Sequence, residues 1–414
     1  MSTIDRSACR SRVVDALLAI ACVASLSGCW MFAQSPCESD ENCPSGSTCS
    51  GGYCYDPTSI VTGGVTGYTC DGVTECPTEV CGGSECLSEE EAANAVEDDV
   101  YVLSEDDWAA LASVTAVIGD IYLGTDSIIY DAEDTTLVVS GDVVLPLLRR
   151  VQGGVHFWGQ RGVTSISMPS LRVLDGSFEA VDMPDLVSIS LPELAVVPSL
   201  VYTGVAGELS FEGTPKLALL SAPKLPDIGW ISIDPVGYVE TPVFGDPLVL
   251  ELNALTHVGN IDIWSEGNMP VLSFPALEEV RGRIYVRFPD GLETLSFPNL
   301  ETVGDEFNIY RATDLTNLEV DSLTSVATIA FEDNDALTAL EFPSLATVGT
   351  SLSITGHDAL STLTAPVLTS VNNGFTISGN PNLDACAAKA IADQSSPGGS
   401  IDLSGNLGDE SACP

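Results

Sequence analysis

The sequence predicts an all-β protein, a single-stranded right-handed β-solenoid with short cap helices, preceded by a cysteine-rich stalk. One observation is a near-repeat: SFPALEEVRGRIYVR begins at Ser273, and SFPNLETVGDEFNIY begins 23 residues later at Ser296. Another is that apolar residues within each repeat alternate in short bursts, which is the periodicity of a strand with one buried side. A fixed period of about 20 to 50 residues indicates a repeat architecture in which no unit buries its apolar face alone.

The repeat extends along most of the chain, and its prolines mark it. They lie 22 or 23 residues apart within each series, with Asp321 in place of one of them, and the series are Pro146, Pro169, Pro192; Pro275, Pro298; and Pro343, Pro366. Proline cannot donate to a strand ladder, so we expect it at a strand start or a corner of each coil. About a dozen coils follow from this spacing.

Aligning two repeats predicts which side chains face inward. Ile284 is expected to stack on Phe307, and Val286 on Ile309. The residues between and after them would then point outward. These outward pairs are Tyr285 with Asn308 and Arg287 with Tyr310, preceded one coil earlier by Asp262 and Trp264, and near the front by His156 and Trp158.

The open ends of a solenoid require caps. At the front we expect a short helix that is N-capped by Ser104 and bears Trp108 and Leu111, followed by a first coil over 117–123. At the rear, NPNLDACAAKAIADQ predicts a second helix and GGSIDLSGN a last strand. Cys386 and Cys413 bracket this rear segment and are expected to form a disulfide. The stretch 205–250 breaks the period, which predicts an inserted loop or irregular coil.

The GDIYL opening, the FPxLxxVG coils and the ISGNPNLDAC ending resemble the receptor L domain, the leucine-rich-repeat-like β-helix of insulin and epidermal-growth-factor receptors. The resemblance covers residues 100–414 and implies that fold for this region. The receptor domains have fewer coils, and the cysteines of their front cap are missing from this chain.

The N-terminal segment resembles a bacterial lipoprotein signal. Three arginines precede an apolar run from Val13 to Leu26, which is followed by Leu-Ser-Gly-Cys at 26–29. The run is short for a membrane span and contains Asp15, so a transmembrane helix is the weaker alternative. Residues 1–28 are therefore predicted to be removed and Cys29 acylated. An aspartate directly after the acylated cysteine would resemble a signal for retention in the inner membrane, and Trp30 stands there instead. We therefore expect a lipid anchor in the outer membrane of a Gram-negative bacterium, at the cell surface.

The remaining cysteines predict disulfides, because exported chains use even groups of cysteine in this way. Zinc is the competing interpretation, but neither N-terminal cluster contains a Cys-x-x-Cys pair. We therefore predict a disulfide-bonded, lipid-anchored stalk over 29–99 and no metal or other cofactor. The disulfide candidates are Cys37, Cys43, Cys49, Cys54, Cys70, Cys76, Cys81 and Cys86, together with Cys386 and Cys413.

Charge narrows the choice of partners. The chain has 14 Lys and Arg against 59 Asp and Glu, a formal net charge of −45. This argues against nucleic acid, whose binding requires cations that neutralise phosphates. The acidity is most simply interpreted as a source of solubility and of repulsion between neighbouring molecules. A more specific interpretation is calcium binding near Asp40 or Asp333. We expect a monomer that contacts the membrane through its lipid.

Catalysis has little support in the sequence. Three histidines are spread over 200 residues, and no metalloprotease, serine-hydrolase or phosphate-loop motif is present. We therefore predict no catalytic residues and no enzyme activity. A polysaccharide lyase or hydrolase on a β-helix scaffold is the alternative, because four arginines fall close together: Arg281, Arg283, Arg287 and Arg311.

The favoured function is binding of a glycan or a protein by one outward face. The expected ligand-binding residues are Trp264, Tyr285, Arg287 and Tyr310, which the alignment places side by side. Aromatic rings with an interleaved arginine form cation–π contacts and are common in interfaces. The competing interpretation is that these side chains only pack on one another and support the sheet.

Overall fold

The computed structural model describes residues 48–50, 53–55, 81–82, 85–102, 105–123, 140–197, 207–237, 244–264, 268–289 and 291–413. The chain divides into two units, Met1–Thr58 and Ser59–Pro414. The first contains one described strand pair, and the second contains the β-solenoid.

The structure is dominated by short parallel strands, as the sequence predicts. In chain order the described strands are β1 (Thr48–Ser50), β2 (Tyr53–Tyr55), β3 (Cys81–Gly82), β4 (Glu85–Cys86), β5 (Ala95–Val96), β6 (Val100–Val102), β7 (Ala116–Val117), β8 (Ile121–Leu123), β9 (Gly141–Val144), β10 (Arg150–Val151), β11 (Val155–Trp158), β12 (Val163–Ser167), β13 (Val173–Leu174), β14 (Phe178–Val181), β15 (Ser188–Ser190), β16 (Glu208–Glu212), β17 (Leu219–Ser221), β18 (Asp227–Asp234), β19 (Val249–Glu251), β20 (His257–Trp264), β21 (Val271–Ser273), β22 (Glu279–Val280), β23 (Ile284–Arg287), β24 (Thr294–Ser296), β25 (Thr302–Tyr310), β26 (Asn317–Glu319), β27 (Ser325–Glu332), β28 (Ala339–Glu341), β29 (Thr347–Thr355), β30 (Thr362–Thr364), β31 (Ser370–Val371), β32 (Phe375–Ser378) and β33 (Ile401–Asp402). The described helices are α1 (Glu89–Ala92), α2 (Glu105–Leu111), α3 (Ala385–Ser395) and a short 3-10 helix, Glu410–Ala412.

One sheet runs along the solenoid. Among the described residues it has 15 strands. Its path goes from β6 through β8, β11, β14, β16, β18, β20, β22, β25, β27, β29 and β32 to β33, and the other two strands, β23 and β31, pair with members of this path. Each strand pairs in parallel with the equivalent strand of the next coil, which gives a β-solenoid of about 12 turns. The predicted fold class is confirmed. We call this 15-stranded sheet the main sheet.

Smaller parallel sheets form the other sides of the coils. They are the four-stranded sheet β5–β7–β10–β13, the five-stranded sheet β9–β12–β15–β17–β19, the three-stranded sheet β21–β24–β26 and the pair β28–β30. The repeated prolines follow the strands of these sheets by two residues: Pro298 comes after β24, and Pro343 after β28. They lie at corners, because a proline inside a ladder would remove a donor.

The core is built from the inward rows of the main sheet. Ile284 pairs with Phe307 and Val286 with Ile309, and all four side chains are fully buried. Burial of such side chains contributes about 1.5–3 kcal/mol each. Phenylalanines from successive coils touch inside the solenoid, as for Phe307 and Phe331 with ring centroids 5.2 Å apart.

A polar ladder lies inside the last coils, at the turn that follows each main-sheet strand. Asn334, His357 and Asn380 are fully buried there. Asn334 Oδ1 accepts from the Ala312 N–H, His357 Nδ1 from the Asn334 N–H, and Asn380 Oδ1 from the His357 N–H. Each of these side chains therefore satisfies a backbone donor of the preceding coil, which a buried turn requires.

The front cap contains the predicted helix but begins earlier than expected. Helix α2 carries Trp108 and Leu111, with Leu111 buried against the core. Strands β5 and β6 precede it and pair with β7 and β8. The first coil thus lies one turn ahead of the predicted one at 117–123, because a single turn of two short strands has too little periodicity to be recognised. Ser104 lies outside the described residues.

The rear cap agrees with the prediction. Helix α3 and strand β33 occupy the expected segments, and Cys386 is bonded to Cys413. Asp384 caps α3 by accepting from the Cys386 N–H. The two cysteines are 27 residues apart, and a disulfide that closes a loop of this length stabilises a fold by roughly 2–4 kcal/mol.

The length of the coils varies where the period breaks. Register partners are 23 residues apart for Ile261 and Ile284, but 31 apart for Phe178 and Leu209 and 30 apart for Ile231 and Ile261. The predicted irregularity over 205–250 therefore corresponds to one long coil between Ile231 and Ile261. Two other long coils come earlier in the chain, between Ile121 and Val155 and between Phe178 and Leu209.

Candidate functional site

The predicted outward row exists on the main sheet. Trp264 is the register partner of Arg287, which in turn pairs with Tyr310. Tyr285 lies on the neighbouring outward row, between Asp262 and Asn308. The structure thus brings together all four residues that the sequence singled out for ligand binding.

Four further residues extend this group. We call the whole set the aromatic–arginine strip, and its members are Trp230, Trp264, Arg283, Tyr285, Arg287, Phe288, Tyr310 and Arg311. Most of them are half-buried, whereas Phe288 and Arg311 are exposed. Coils of 23 residues stack Trp264, Arg287 and Tyr310, because each strand repeats its outward positions one coil later.

Arg287 lies between two aromatic rings. Its guanidinium carbon is 5.2 Å from the ring centroid of Trp264 and 4.5 Å from that of Tyr285. Both distances fall within the range of cation–π attraction. Its Nε is buried without a hydrogen-bond partner. Within the described part of the chain, no carboxylate forms an ion pair with Arg287.

Arg283 has a different environment. Its guanidinium binds the buried carboxylate of Asp262 at two points, with N–O distances of 3.2 and 2.8 Å. It also faces the rings of Trp230 and Tyr285 at 5.2 and 4.3 Å. The hydrogen bond to Asp262 raises the pKa of Arg283 despite partial burial. This arginine is fixed in place by its own chain.

Glu306 holds the polar edge of the strip. The Tyr285 hydroxyl donates to Glu306 Oε2 at 2.6 Å, and Asn308 Nδ2 donates to Glu306 Oε1 at 2.9 Å. The hydrogen bond to Glu306, together with burial, raises the pKa of Tyr285. The phenol is therefore neutral at physiological pH and positioned by its hydroxyl.

Backbone strain marks the exposed end of the strip. Phe288 and Arg311 have φ values of 53° and 54°, in the left-handed region. Gly356 and Gly379 occupy the equivalent position in later coils, each donating its N–H to the following coil. A bulky residue in this conformation costs roughly 1–3 kcal/mol, and such strain concentrates at functional sites. Phe288 meets Tyr310 edge-on at 5.1 Å, and Arg311 lies 5.0 Å from the Tyr310 ring.

A second aromatic group lies near the front of the main sheet and was only partly anticipated. Tyr101, Tyr122 and His156 are stacked at 5.0 and 4.9 Å, and Trp158 is tilted against them. His156 binds Glu179 at 2.9 Å. Burial lowers the pKa of His156, but Glu179 and Asp120 outweigh it and the pKa is raised. The sequence signal was a tyrosine between two apolar residues in each of two strands, VYV at 100–102 and IYL at 121–123.

Carboxylates occupy the main sheet between these two aromatic groups. Glu212 pairs in register with Asp234 on the same outward row, one coil before Trp264. Burial and the neighbouring charges of Asp234 and Asp182 raise the pKa of Glu212. The described residues contain no group of three or more His, Cys, Asp or Glu side chains arranged to hold a metal ion.

The N-terminal predictions lie mostly outside the described residues, as do Cys29, Cys37, Cys43, Cys70 and Cys76. Cys49 and Cys54 are register partners in the antiparallel pair β1–β2, and so are Cys81 and Cys86 in β3–β4. Disulfides at these pairs stay predictions. No described helix has the length and hydropathy needed to cross a membrane.

Comparison with curated proteins finds similarity to a cell wall protein. The chain is 26% identical over 225 residues to the cell wall protein ecm33 of Schizosaccharomyces pombe. The match covers 52% of this chain and 49% of the relative, so the chain spans about half the length of the curated protein it matches. No family model and no solved structure matches the chain.

Proposed function

We propose that this protein is a cell-surface binding module that presents the aromatic–arginine strip to a glycan or protein ligand. The observation that carries the proposal is the strained, exposed end of the strip. Phe288 and Arg311 adopt left-handed backbone where other coils use glycine or aspartate, which tolerate it better than bulky residues do. A phenylalanine and an arginine are costly at such positions, so their side chains have a use other than stabilising the turn.

The surface location has two supports. The relative named above is a cell wall protein. The N-terminal sequence has the arginines, apolar run and Leu-Ser-Gly-Cys ending of a lipoprotein signal. We propose acylation at Cys29 and an anchor in a bacterial outer membrane, with the cysteine-rich segment between the anchor and the solenoid. Several acyl chains on one residue give stable anchoring, at ~0.8 kcal/mol per buried CH₂.

Binding is favoured over catalysis because the carboxylates within the strip are already engaged. Asp262 accepts from Arg283, and Glu306 accepts from Tyr285 and Asn308. A glycosidase needs two carboxylates free to act on one bond, one of them with a raised pKa. We propose a binding role in which Asp262 and Glu306 position the cation and the phenol.

A polysaccharide hydrolase is the second candidate, and Glu212 is the observation that favours it. This carboxylate has a raised pKa and pairs in register with Asp234. That is the kind of environment in which a general acid works. Release of reducing ends from a polysaccharide by the full chain, lost in Glu212→Gln, would replace the binding proposal.

The test is a glycan array combined with a cell-surface pull-down, using the full chain. The Arg287→Ala, Tyr310→Ala double variant should lose the ligand, because it removes two neighbouring side chains of the row at the centre of the strip. Ser353→Ala, Thr355→Ala is the matched control, since these residues occupy the same outward rows two coils later. A ligand held equally by wild type and both variants would exclude the strip.

A further inference from the structure

The arginines of the strip differ in their partners. Arg283 has a two-point bond to Asp262, and Arg281 beside it has one to Asp227 at 3.0 and 2.5 Å. Arg311 approaches Asp333 at 3.5 Å, where both side chains are well exposed. Among the described residues, none forms an ion pair with Arg287. Most of the described lysines and arginines do form such a pair, in a chain with 59 acidic and 14 basic residues.

Arg287 is nevertheless held firmly. The rings of Trp264 and Tyr285 flank its guanidinium, and its buried Nε has no acceptor. Because this Nε is buried, the terminal Nη1 and Nη2 groups are the donors that remain for a ligand acceptor. The planar fork of arginine matches a carboxylate through two parallel hydrogen bonds. Ring contacts also restrict the side chain before binding, which reduces the entropy lost on association.

The surroundings favour a glycan as the source of that acceptor. The outward rows around Arg287 carry polar side chains such as Asn308, Glu332 and Thr355. A protein hot spot is typically a desolvated apolar pocket, and Phe288, 43% exposed, is the main exposed apolar side chain of the strip. Hydroxyl groups of a sugar can exchange hydrogen bonds with these amides, hydroxyls and carboxylates.

The acidic residues beyond Trp264 restrict where an acid group can bind. Glu212 and Asp234 lie on the same outward row in the two preceding coils. Like charges in close contact repel, so a carboxylate is excluded at that end and accepted at Arg287, with Arg311 nearby. A ligand would therefore be oriented along the row, with its acid group toward the arginines.

From this we infer that the strip recognises a carboxylate-bearing glycan, with the acid group bound by Arg287. The inference rests on the proposed function and specifies its ligand class. Trp264, Tyr285 and Tyr310 position the guanidinium and pack against the sugar, and Arg311 adds a second, weaker cation.

The experiment measures binding of uronate oligosaccharides from hyaluronate, polygalacturonate and polymannuronate to the full chain by isothermal titration calorimetry. Each is used as the free acid and as its methyl ester, which removes the charge and keeps the sugar. We expect at least one of the acids to bind. The affinity of its methyl ester should be lower by about tenfold or more, because the ester cannot form the charge-assisted pair. This comparison requires no substitution and so does not depend on how a variant folds.

Arg287→Gln should bring acid and ester to equal affinity, and Arg287→Lys should leave an intermediate preference, because lysine keeps the charge and loses the fork. Arg172→Gln removes one exposed positive charge elsewhere and should leave the preference intact. Equal binding of acid and ester to the wild type would overturn the inference and leave the proposed function standing. Capture of a protein by the strip, with no uronate bound, would also overturn it. Absence of any ligand at the strip would remove both.

Discussion

His357 makes the interior ladder sensitive to pH. Its Nδ1 accepts the Asn334 N–H at 3.1 Å, so the ring proton is on Nε2, which is buried without a partner. Burial lowers the pKa of His357 from 6.5 to about 4, against the smaller opposing effect of Asp335 and Asp333. Protonation would replace the acceptor at Nδ1 by a second donor facing the Asn334 N–H.

The direction of the effect follows from linkage. Since the pKa is lower in the folded state, the unfolded chain binds the proton more readily, and stability falls as pH decreases from 6.5 toward 4. A shift of this size is worth about 3 kcal/mol in full, at ~1.4 kcal/mol per unit. Between pH 7 and pH 5 the loss is about 2 kcal/mol.

The matched variant is His357→Asn, because asparagine occupies the same place in neighbouring coils. Asn334 Nδ2 donates to the Ile309 carbonyl and Asn380 Nδ2 to the Ile354 carbonyl. Phe331 lies between these two in register, so an asparagine at 357 would donate to its carbonyl. Every other titratable group is present in both proteins, so the comparison isolates the contribution of residue 357.

Urea unfolding at pH 7 and pH 5 gives the difference directly. We expect the wild type to lose about 2 kcal/mol more than His357→Asn over this interval. Solenoids can unfold in parts, so hydrogen exchange of the Asn334 and His357 amides provides a local measurement. The same pH dependence in both proteins, by both methods, would refute the assigned role of His357.

Three other outcomes are expected. Ile309→Asp should unfold the central coils, since it buries an unpaired charge; a far-ultraviolet spectrum and urea midpoint equal to wild type would contradict the inward register. Phe288→Gly should weaken ligand binding, because the exposed ring is lost. It should change the free energy of unfolding by no more than about 1 kcal/mol, because the relief of left-handed strain offsets the lost contacts. A loss above about 2 kcal/mol would show that Phe288 serves packing. Metabolic labelling with a palmitate analogue should be lost in Cys29→Ala, and equal labelling would exclude acylation there.

The sequence alone determined the fold class and the register of the regular coils. A constant 23-residue spacing carries each inward position onto the same position of the next coil, as in Ile284 and Phe307. The outward neighbours Trp264, Arg287 and Tyr310 follow from the same count. The ladder of Asn334, His357 and Asn380 has this spacing as well, so its signal was present in the sequence.

The tertiary structure decided what constant spacing cannot supply. Arg281 binds Asp227 across 54 residues, and Tyr122 stacks on His156 across 34, because long coils lie between or beside the regular ones. Where the number of residues per coil changes, the sequence does not show which residues of neighbouring coils are partners, and the three-dimensional structure is needed to assign them. The left-handed conformation of Phe288 and Arg311 was equally hidden, since the sequence shows a bulky residue where other coils use glycine or aspartate. Only the closed coil, whose turn fixes φ at that position, reveals that those side chains are held under strain.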